Sequence, residues 1–430
     1  MTLPGHPWIA RRDDDGALCV DGVDLADLAR EYGTPLYVYS RRAMLDALAR
    51  YESAFAKRSH LVCYAMKANS NLAVVQTFVN AGCGIDIVSG GELERALAAG
   101  ASPSKIVFSG VGKRDDELRR ALEVGVRGFN VESVSELHAL SRMAQATGKR
   151  ARISLRVNPD IDAGTHPYIS TGLKSNKFGI PHDQALEVYR LAWKLPRIEV
   201  AGIDCHIGSQ ITDVAPYLAA VDRVLDLVET IERSGIRLHH LDFGGGLGIT
   251  YDDETPPAAD ELIAQVLAHV DRRGHGHREI VVEPGRSLVG NAGVLVAKAL
   301  VLKPGGEKNF CIVDAAMNDL MRPAMYQAWM RIEALRPRDA SKVRRYDVVG
   351  PVCESGDWLG RDRELAIDEG DLIAVLSAGA YGMAMASNYN TRARAAEVMV
   401  DGARHWLVRR RETVQELFAN EQLVPQDDQG

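Results

Sequence analysis

Eight short β-branched, apolar runs recur up to about residue 290, and segments of helical period separate them. They are "VCYAMKAN" (62), "GIDIVSG" (84), "KIVFSG" (105), "GFNVES" (128), "ISLRVNP" (153), "VAGIDCHIGS" (200), "LHHLDFGGG" (238) and "EIVVEPGR" (279). Seven end in Gly, Asn, Ser or a charged residue, and "ISLRVNP" has Asn just before its final Pro. The spacers include "GGELERALAAG", "RDDELRRALEVG", "SVSELHALSRMAQATG" and "VAPYLAAVDRVLDLVETIERSG", with apolar residues at i, i+3, i+4 and i+7. Eight strands each followed by a helix predict an α/β fold, a closed (β/α)8 parallel barrel of TIM type with its helices outside.

Such a barrel leaves much of a 430-residue chain over. After residue 290, "VLVAKALVLKPG", "NFCIVDAA", "RRYDVVGPVC", "DLIAVLSAGAYG" and "AEVMVDGARHWLV" read as strands without long helices between them. We expect a second, mostly antiparallel β domain over residues 289–430. Residues 1–40, with the strand-like "TPLYVYS", should join it, and residues 41–288 should form the barrel. At 46% hydrophobic and 25% charged, the chain is long enough to bury two sizeable cores.

Several functions are disfavoured by composition. A net charge of −7 offers no basic footprint for nucleic acid or an anionic membrane. No apolar run reaches the roughly 18 residues of a membrane span, and the N-terminus lacks the apolar core of a secretory signal, so a cytoplasmic location is expected. The six cysteines are scattered without a C-x-x-C pair; free thiols are expected, with no metal cluster and no disulfide framework.

The chemistry should lie where the strands end, on the C-terminal rim that carries the active sites of such barrels. That rim gathers Lys67, Asp86, Ser109, Asn130, Arg156, Asn158, His206, Ser209, the glycines at 244–246, Glu283 and Arg286. Taken alone, Lys67 is either a solvated lysine just past a strand or an amine held for chemistry. "FGGGLG" and "EPGR" end neighbouring strands and can offer bare backbone N–H groups to a phosphate, or can be two tight turns. Gly244, Gly246 and Ile249 fail the dinucleotide fingerprint, and no H-E-x-x-H, G-x-S-x-G or P-loop lysine is present. A lysine, a phosphate cradle, a histidine and a carboxylate in one mouth match the needs of pyridoxal phosphate. We expect the amine of Lys67 to be made neutral by desolvation and by cations such as Arg286.

"YAMKAN", "HIGSQ", "DFGGGLG", "EPGR", "VDAAMNDLMRPAMY", "GPVCESGD" and "GAYGMAMASNYN" occur in this order. With them the chain resembles the fold-type III pyridoxal phosphate decarboxylases, most closely the branch acting on diaminopimelate. The resemblance runs from "TPLYVYS" to "RRRET". It implies that Lys67 is joined to the cofactor, His206 stacks on its ring, Glu283 partners the ring nitrogen, and Gly246, Gly285 and Arg286 hold the phosphate. Asp86, Ser209, Gly245 and Tyr381 would complete the cofactor site. Arg286, Arg322, Tyr326, Glu354 and Tyr381 would hold the substrate, with Cys353 as proton donor. It also implies a homodimer in which "CESGD" enters the other subunit's site. Ala316 departs from the family, where glycine is more common. Alternatives are a relative acting on ornithine, arginine or carboxynorspermidine, or a pyridoxal phosphate carrier that does not decarboxylate.

Overall fold

The computed structural model describes residues 2–3, 5–162, 166, 171–172 and 176–424. Eight parallel strands close on themselves: His60–Ala65, Gly84–Ile87, Ile106–Phe108, Gly128–Val131, Ala151–Asn158, Ile198–Asp204, His240–Asp242 and Glu279–Val282. The last pairs with the first through Ile280 and His60, and the fourth meets the fifth through Phe129 and Ile153. No edge remains. Strand-end residues also start the outer helices, which explains their polarity at strand ends. Asn71 caps Leu72–Asn80, Ser89 caps Gly90–Ala98, and Ser133 caps Val134–Thr147, each accepting a bond from a backbone N–H of the first turn. Asp115–Val124 and Val134–Thr147 stop at Gly125 and Gly148, whose left-handed φ angles of 78° and 66° suit glycine.

One strand departs from the expected alternation. The eighth is followed only by a single helical turn, Arg286–Val289, before the chain leaves the barrel. The wall there is completed by the helix Arg41–Phe55, which precedes the first strand and packs against Ala259–Arg272, Arg286–Val289 and Leu72–Asn80. Its buried face is Met44, Leu48, Tyr51 and Phe55, the i, i+4, i+7 stripe of an outer helix.

The second sheet is ordered Trp358–Leu365, Arg344–Val349, Asn309–Val313, Gly293–Lys303, Leu36–Ser40, Ala396–Asp401 and Arg404–Arg409, with Leu372–Val375 and Ile332–Ala334 attached. It is mostly antiparallel; Leu36–Ser40 against Ala396–Asp401 and Asn309–Val313 against Arg344–Val349 are parallel. Leu36–Ser40 is inserted between strands from far along the chain, all five of its residues buried. Residues ahead of it form their own small antiparallel sheet, Thr2–Leu3, His6–Arg11, Leu18–Val20 and Val23–Asp24. The two-residue turn Asp21–Gly22, both at positive φ, folds that chain back on itself rather than into the large sheet. Ile9, Leu18, Val20, Leu25 and Leu28 nonetheless share a core with Val38, Val294, Val296 and Val398 of the large sheet. Among the described residues, no helix is long and apolar enough to cross a membrane.

Candidate active site

Lys67 stands in the one-turn 3-10 helix Met66–Ala68, directly after the first barrel strand. Its Nζ donates to Asp86 Oδ2 at 2.5 Å, and Asp86, on the next strand, is fully buried. Another inward lysine, Lys113, shows what a structural role looks like: its ammonium fills all three donors, on Glu136 and the carbonyls of Gly110 and Asn130. Lys67 has the one bond to Asp86 among the described residues, leaving donor capacity facing the barrel mouth. Burial alone lowers its pKa, but the charges of Asp86, Glu283 and Tyr381 outweigh that, and the net shift is upward. The expected neutral amine is therefore not what the surrounding protein favours; the carboxylates hold an ammonium.

Below the lysine lies a buried set of carboxylates. Asp204, Asp242 and Glu283 present oxygens within 4.8 Å of one another, a set that could also hold a cation. Glu283 Oε1 accepts from Asn130 Nδ2 at 3.1 Å, and Asn130 also donates to Ser109 Oγ at 3.2 Å. Burial, then the charges of Asp242, Asp86 and Asp204, push the Glu283 carboxyl well up; burial raises Asp204 likewise and Asp242 to about 7. One counter-charge is Arg156, whose Nη1 donates to Glu132 Oε1 at 3.1 Å.

The glycine run is shaped by close approach of backbones. A Cβ on Gly245 would stand 2.2 Å from the Glu283 carbonyl oxygen, and one on Gly246 2.5 Å from the Gly208 carbonyl oxygen. Gly244 donates its N–H to Asp242 Oδ1 at 2.9 Å and Gly245 to His206 Nδ1 at 3.2 Å. The N–H groups of Gly246, Gly285 and Arg286 have no acceptor among the described residues, so two adjacent strand ends present free donors side by side. Burial, then Arg156 and Lys67, lower the His206 pKa well below its usual value, giving a neutral imidazole whose Nδ1 is already fixed.

Arg286 is buried, with Nε and Nη2 on Ser209 Oγ at 3.3 and 3.0 Å, Nη1 on Tyr251 Oη at 2.6 Å, and its Cζ 4.8 Å above the Tyr381 ring. Tyr381, at φ 54°, donates its backbone N–H to the Ala68 carbonyl at 2.8 Å, which seats it beside the lysine turn. Arg322, also buried, lies with its Cζ 4.4 Å over the Tyr251 ring, its Nε without a partner. Both arginines line a cavity of about 290 Å³ together with Tyr326, Gln210 and Trp329. Ala316 is buried, and its N–H donates to Asp319 Oδ2 at 2.9 Å.

The structure thus joins Lys67, Asp86, His206, Ser209, Gly245, Gly246, Glu283, Gly285, Arg286 and Tyr381 in one mouth, with Arg322 and Tyr326 at its side. Cys353 and Glu354 are elsewhere, on an exposed loop of the second sheet. The Cys353 N–H reaches Asn390 Oδ1 at 3.4 Å, and Tyr389 Oη donates to Glu354 Oε2 at 3.4 Å. Tyr251, Asp204, Asp242 and Glu132 have no counterpart among the residues read from the sequence, which placed Arg156 on the rim without its partner. The position of Asp242 just ahead of the glycine run could have marked it; nothing in the local pattern marks Tyr251.

The residues present fit pyridoxal phosphate. A lysine with spare donors, a neutral imidazole, a buried carboxyl and free backbone N–H groups are the complement of its aldehyde, ring face, ring nitrogen and phosphate. Residues 41–290 match the family described as pyridoxal-dependent decarboxylase, pyridoxal binding domain. The chain is 58% identical to a diaminopimelate decarboxylase of Pseudomonas aeruginosa, over 96% of this chain and 98% of that one. It superposes on the diaminopimelate decarboxylase of Helicobacter pylori complexed with L-lysine with a TM-score of 0.89, at 40% identity over 93% of this chain and 99% of that one. A diaminopimelate decarboxylase from M. jannaschii, also with L-lysine, gives 0.93 at 37% identity over 99% of each chain. With its barrel matched by the cofactor-binding model and nearly its whole length by these relatives, the chain belongs to the pyridoxal-dependent decarboxylases, in the diaminopimelate decarboxylase family.

Proposed function

We propose that this enzyme removes carbon dioxide from one end of meso-2,6-diaminopimelate to leave L-lysine, the last step of lysine biosynthesis. The observation that carries the reading is the pair of buried arginines, unpaired by any carboxylate among the described residues, beside a lysine and free-amide mouth. Diaminopimelate has an amino acid group at each end, so one end reacts while the other is recognised. Guanidinium forks suit that second carboxylate.

Lys67 would hold the cofactor by its amine, Glu283 the ring nitrogen, His206 one ring face, and the N–H groups of Gly246, Gly285 and Arg286 the phosphate. Ser209, Gly245 and Tyr381 support those contacts. When bound, pyridoxal phosphate supplies an electron sink for the pair left behind by the departing carboxylate. Asp86 steadies the Lys67 ammonium whenever the amine is free. Arg286, Arg322 and Tyr326 orient the substrate so that its reacting carboxylate, rather than the distal one, faces the lysine. The closed barrel floor keeps water from the carbon that loses its carboxylate.

The proton for that carbon would come from Cys353. Of the six cysteines it alone is exposed, and it stands with Glu354 on a loop that no described bond ties to the barrel mouth. This placement supports a homodimer in which each copy lends Cys353, and Glu354 for the distal ammonium, to the site of the other. Free thiols at all six positions support a reducing, cytoplasmic setting. Carbon dioxide release measured over diaminopimelate, ornithine, arginine, lysine and carboxynorspermidine tests the substrate. Diaminopimelate should lead the panel by orders of magnitude. Preference for a substrate without a distal carboxylate would sink the reading, and no release from any would favour a carrier.

A further inference from the structure

Two guanidiniums share the cavity beside the barrel mouth, and neither has an ion-pair partner among the described residues. Both touch Tyr251. Its hydroxyl accepts from Arg286 Nη1 at 2.6 Å, its ring centre is 5.9 Å from Arg286 Cζ, and the same ring lies 4.4 Å from Arg322 Cζ. Tyr251 is 5% exposed. A phenol oxygen and a π face steady two cations without adding a net charge. A carboxylate in this place would neutralise them and compete with an incoming anion.

Bonds that involve neither arginine fix the tyrosine. Its backbone N–H and that of Asp252 both donate to Glu254 Oε2 at 2.8 Å, and Thr250 Oγ1 donates to the Glu254 carbonyl at 2.8 Å. On its other side Gln210 clamps Ile249 in both directions, Nε2 to the carbonyl at 2.6 Å and the Ile249 N–H to Oε1 at 3.1 Å. Tyr251 is thus a post set by the backbone, against which the two side chains lean. Among the described residues Arg322 has only Met330 Sδ, 3.8 Å from Nη1, as a further polar contact, and its Nε has no partner there.

We propose that Tyr251 is a positioning residue for substrate recognition: its hydroxyl holds Arg286 and its ring holds Arg322, so that both present donors to the non-reacting carboxylate. The role rests on both arginines binding that carboxylate, as proposed for the site. L-Lysine keeps this end of the substrate, so its binding reports the recognition without turnover.

The test uses the holoenzyme and the variants Tyr251→Phe, Tyr251→Leu and Arg322→Ala. It reads KM and kcat for diaminopimelate, the dissociation constant of L-lysine by calorimetry, pyridoxal phosphate affinity and Tm. Loss of one charge-assisted hydrogen bond should raise KM and the lysine dissociation constant together by about tenfold in Tyr251→Phe. Cofactor affinity, kcat and Tm should stay near wild type, and Tyr251→Leu should weaken lysine further. Unchanged KM and lysine binding in Tyr251→Phe, with both impaired in Arg322→Ala, overturns the tyrosine's role alone. So does a fall in cofactor affinity and Tm that accounts for the loss, which marks a structural residue. Unaltered KM and lysine binding in Arg322→Ala overturns the arginine assignment, and the tyrosine's role with it.

Discussion

Lys67 and Asp86 make the shortest functional contact in the barrel mouth, and their chemistry is asymmetric. The carboxylate favours the ammonium, whereas bonding to an aldehyde needs the free amine, so in the proposed role of Lys67 Asp86 would give up its hold as the cofactor binds. Lys67→Ala should abolish both the visible absorption of bound cofactor and carbon dioxide release. Arginine should do no better, because it keeps its proton. Borohydride should fix the cofactor to the peptide containing "YAMKAN"; trapping on another lysine sinks the assignment. A second prediction concerns Asp242. Its folded pKa of about 7 lies above the unfolded value, so the native state holds a proton that the unfolded chain has released between those two values. For an acid shifted in this direction, the contribution to stability is greatest below about pH 4 and is lost as pH rises towards 7. Cofactor-free Asp242→Asn keeps an acceptor for the Gly244 N–H but no titrating group. Its Tm relative to wild type should climb between pH 5 and 8, corresponding to roughly 2–4 kcal/mol. A pH-independent difference would show that the carboxyl does not titrate there.

At the scale of elements, the turn after the seventh strand would decide whether the proposed phosphate donors align. Gly245 has no room for a methyl group, because the eighth strand's backbone passes at Glu283 where the Cβ would stand. Gly245→Ala therefore cannot be absorbed by a side-chain rotation; one strand end must move away from the other. Overpacking of this kind costs about 1–3 kcal/mol, and the cofactor dissociation constant should rise about tenfold or more. Fluorescence titration of the cofactor-free variant measures it, and an unchanged constant would mean that the turn does not carry the phosphate. The barrel wall shows the same economy of elements. Arg41–Phe55 comes before the first strand in sequence yet stands in the place of an eighth helix, which frees the chain after Arg286–Val289 to run directly into the second sheet.

For the molecule as a whole, the second sheet and the barrel are joined at more than one point. Leu36–Ser40 lies in the second sheet and leads at once into Arg41–Phe55 of the barrel wall, while Tyr381 reaches from the second sheet to the carbonyl beside Lys67. No bond among the described residues joins the Cys353 loop to the Lys67 turn, and the proposed composite site predicts complementation. Cys353→Ala should keep its cofactor and lose about a hundredfold to ten-thousandfold in turnover, as expected for removal of a positioned acid. Mixed with Lys67→Ala after subunit exchange, it should recover up to about a quarter of wild-type activity, because half the random dimers carry one intact site. No recovery after verified exchange would place Cys353 within the site of its own subunit.

The barrel and nearly all of its mouth were legible in the chain, because alternating periods of two and 3.6 are local properties and strand ends are where polar residues must emerge. Lys67, Asp86, His206, the glycines, Glu283 and Arg286 could be placed on one rim from spacing alone. Strand Trp358–Leu365 was missed since its exposed charged residues, "WLGRDREL", mask the alternation. The separate N-terminal sheet was missed because a two-residue turn competes with long-range pairing. Tertiary structure alone decided that the lysine's pKa moves up rather than down, because Asp86 and Glu283, from two different strand ends, and Tyr381, from the second sheet, converge on it. It also decided the contact of Tyr251 with two arginines, and the exposed loop on which Cys353 stands. Electrostatic fields and close contacts sum over neighbours in space, and those neighbours come from positions that no local pattern connects.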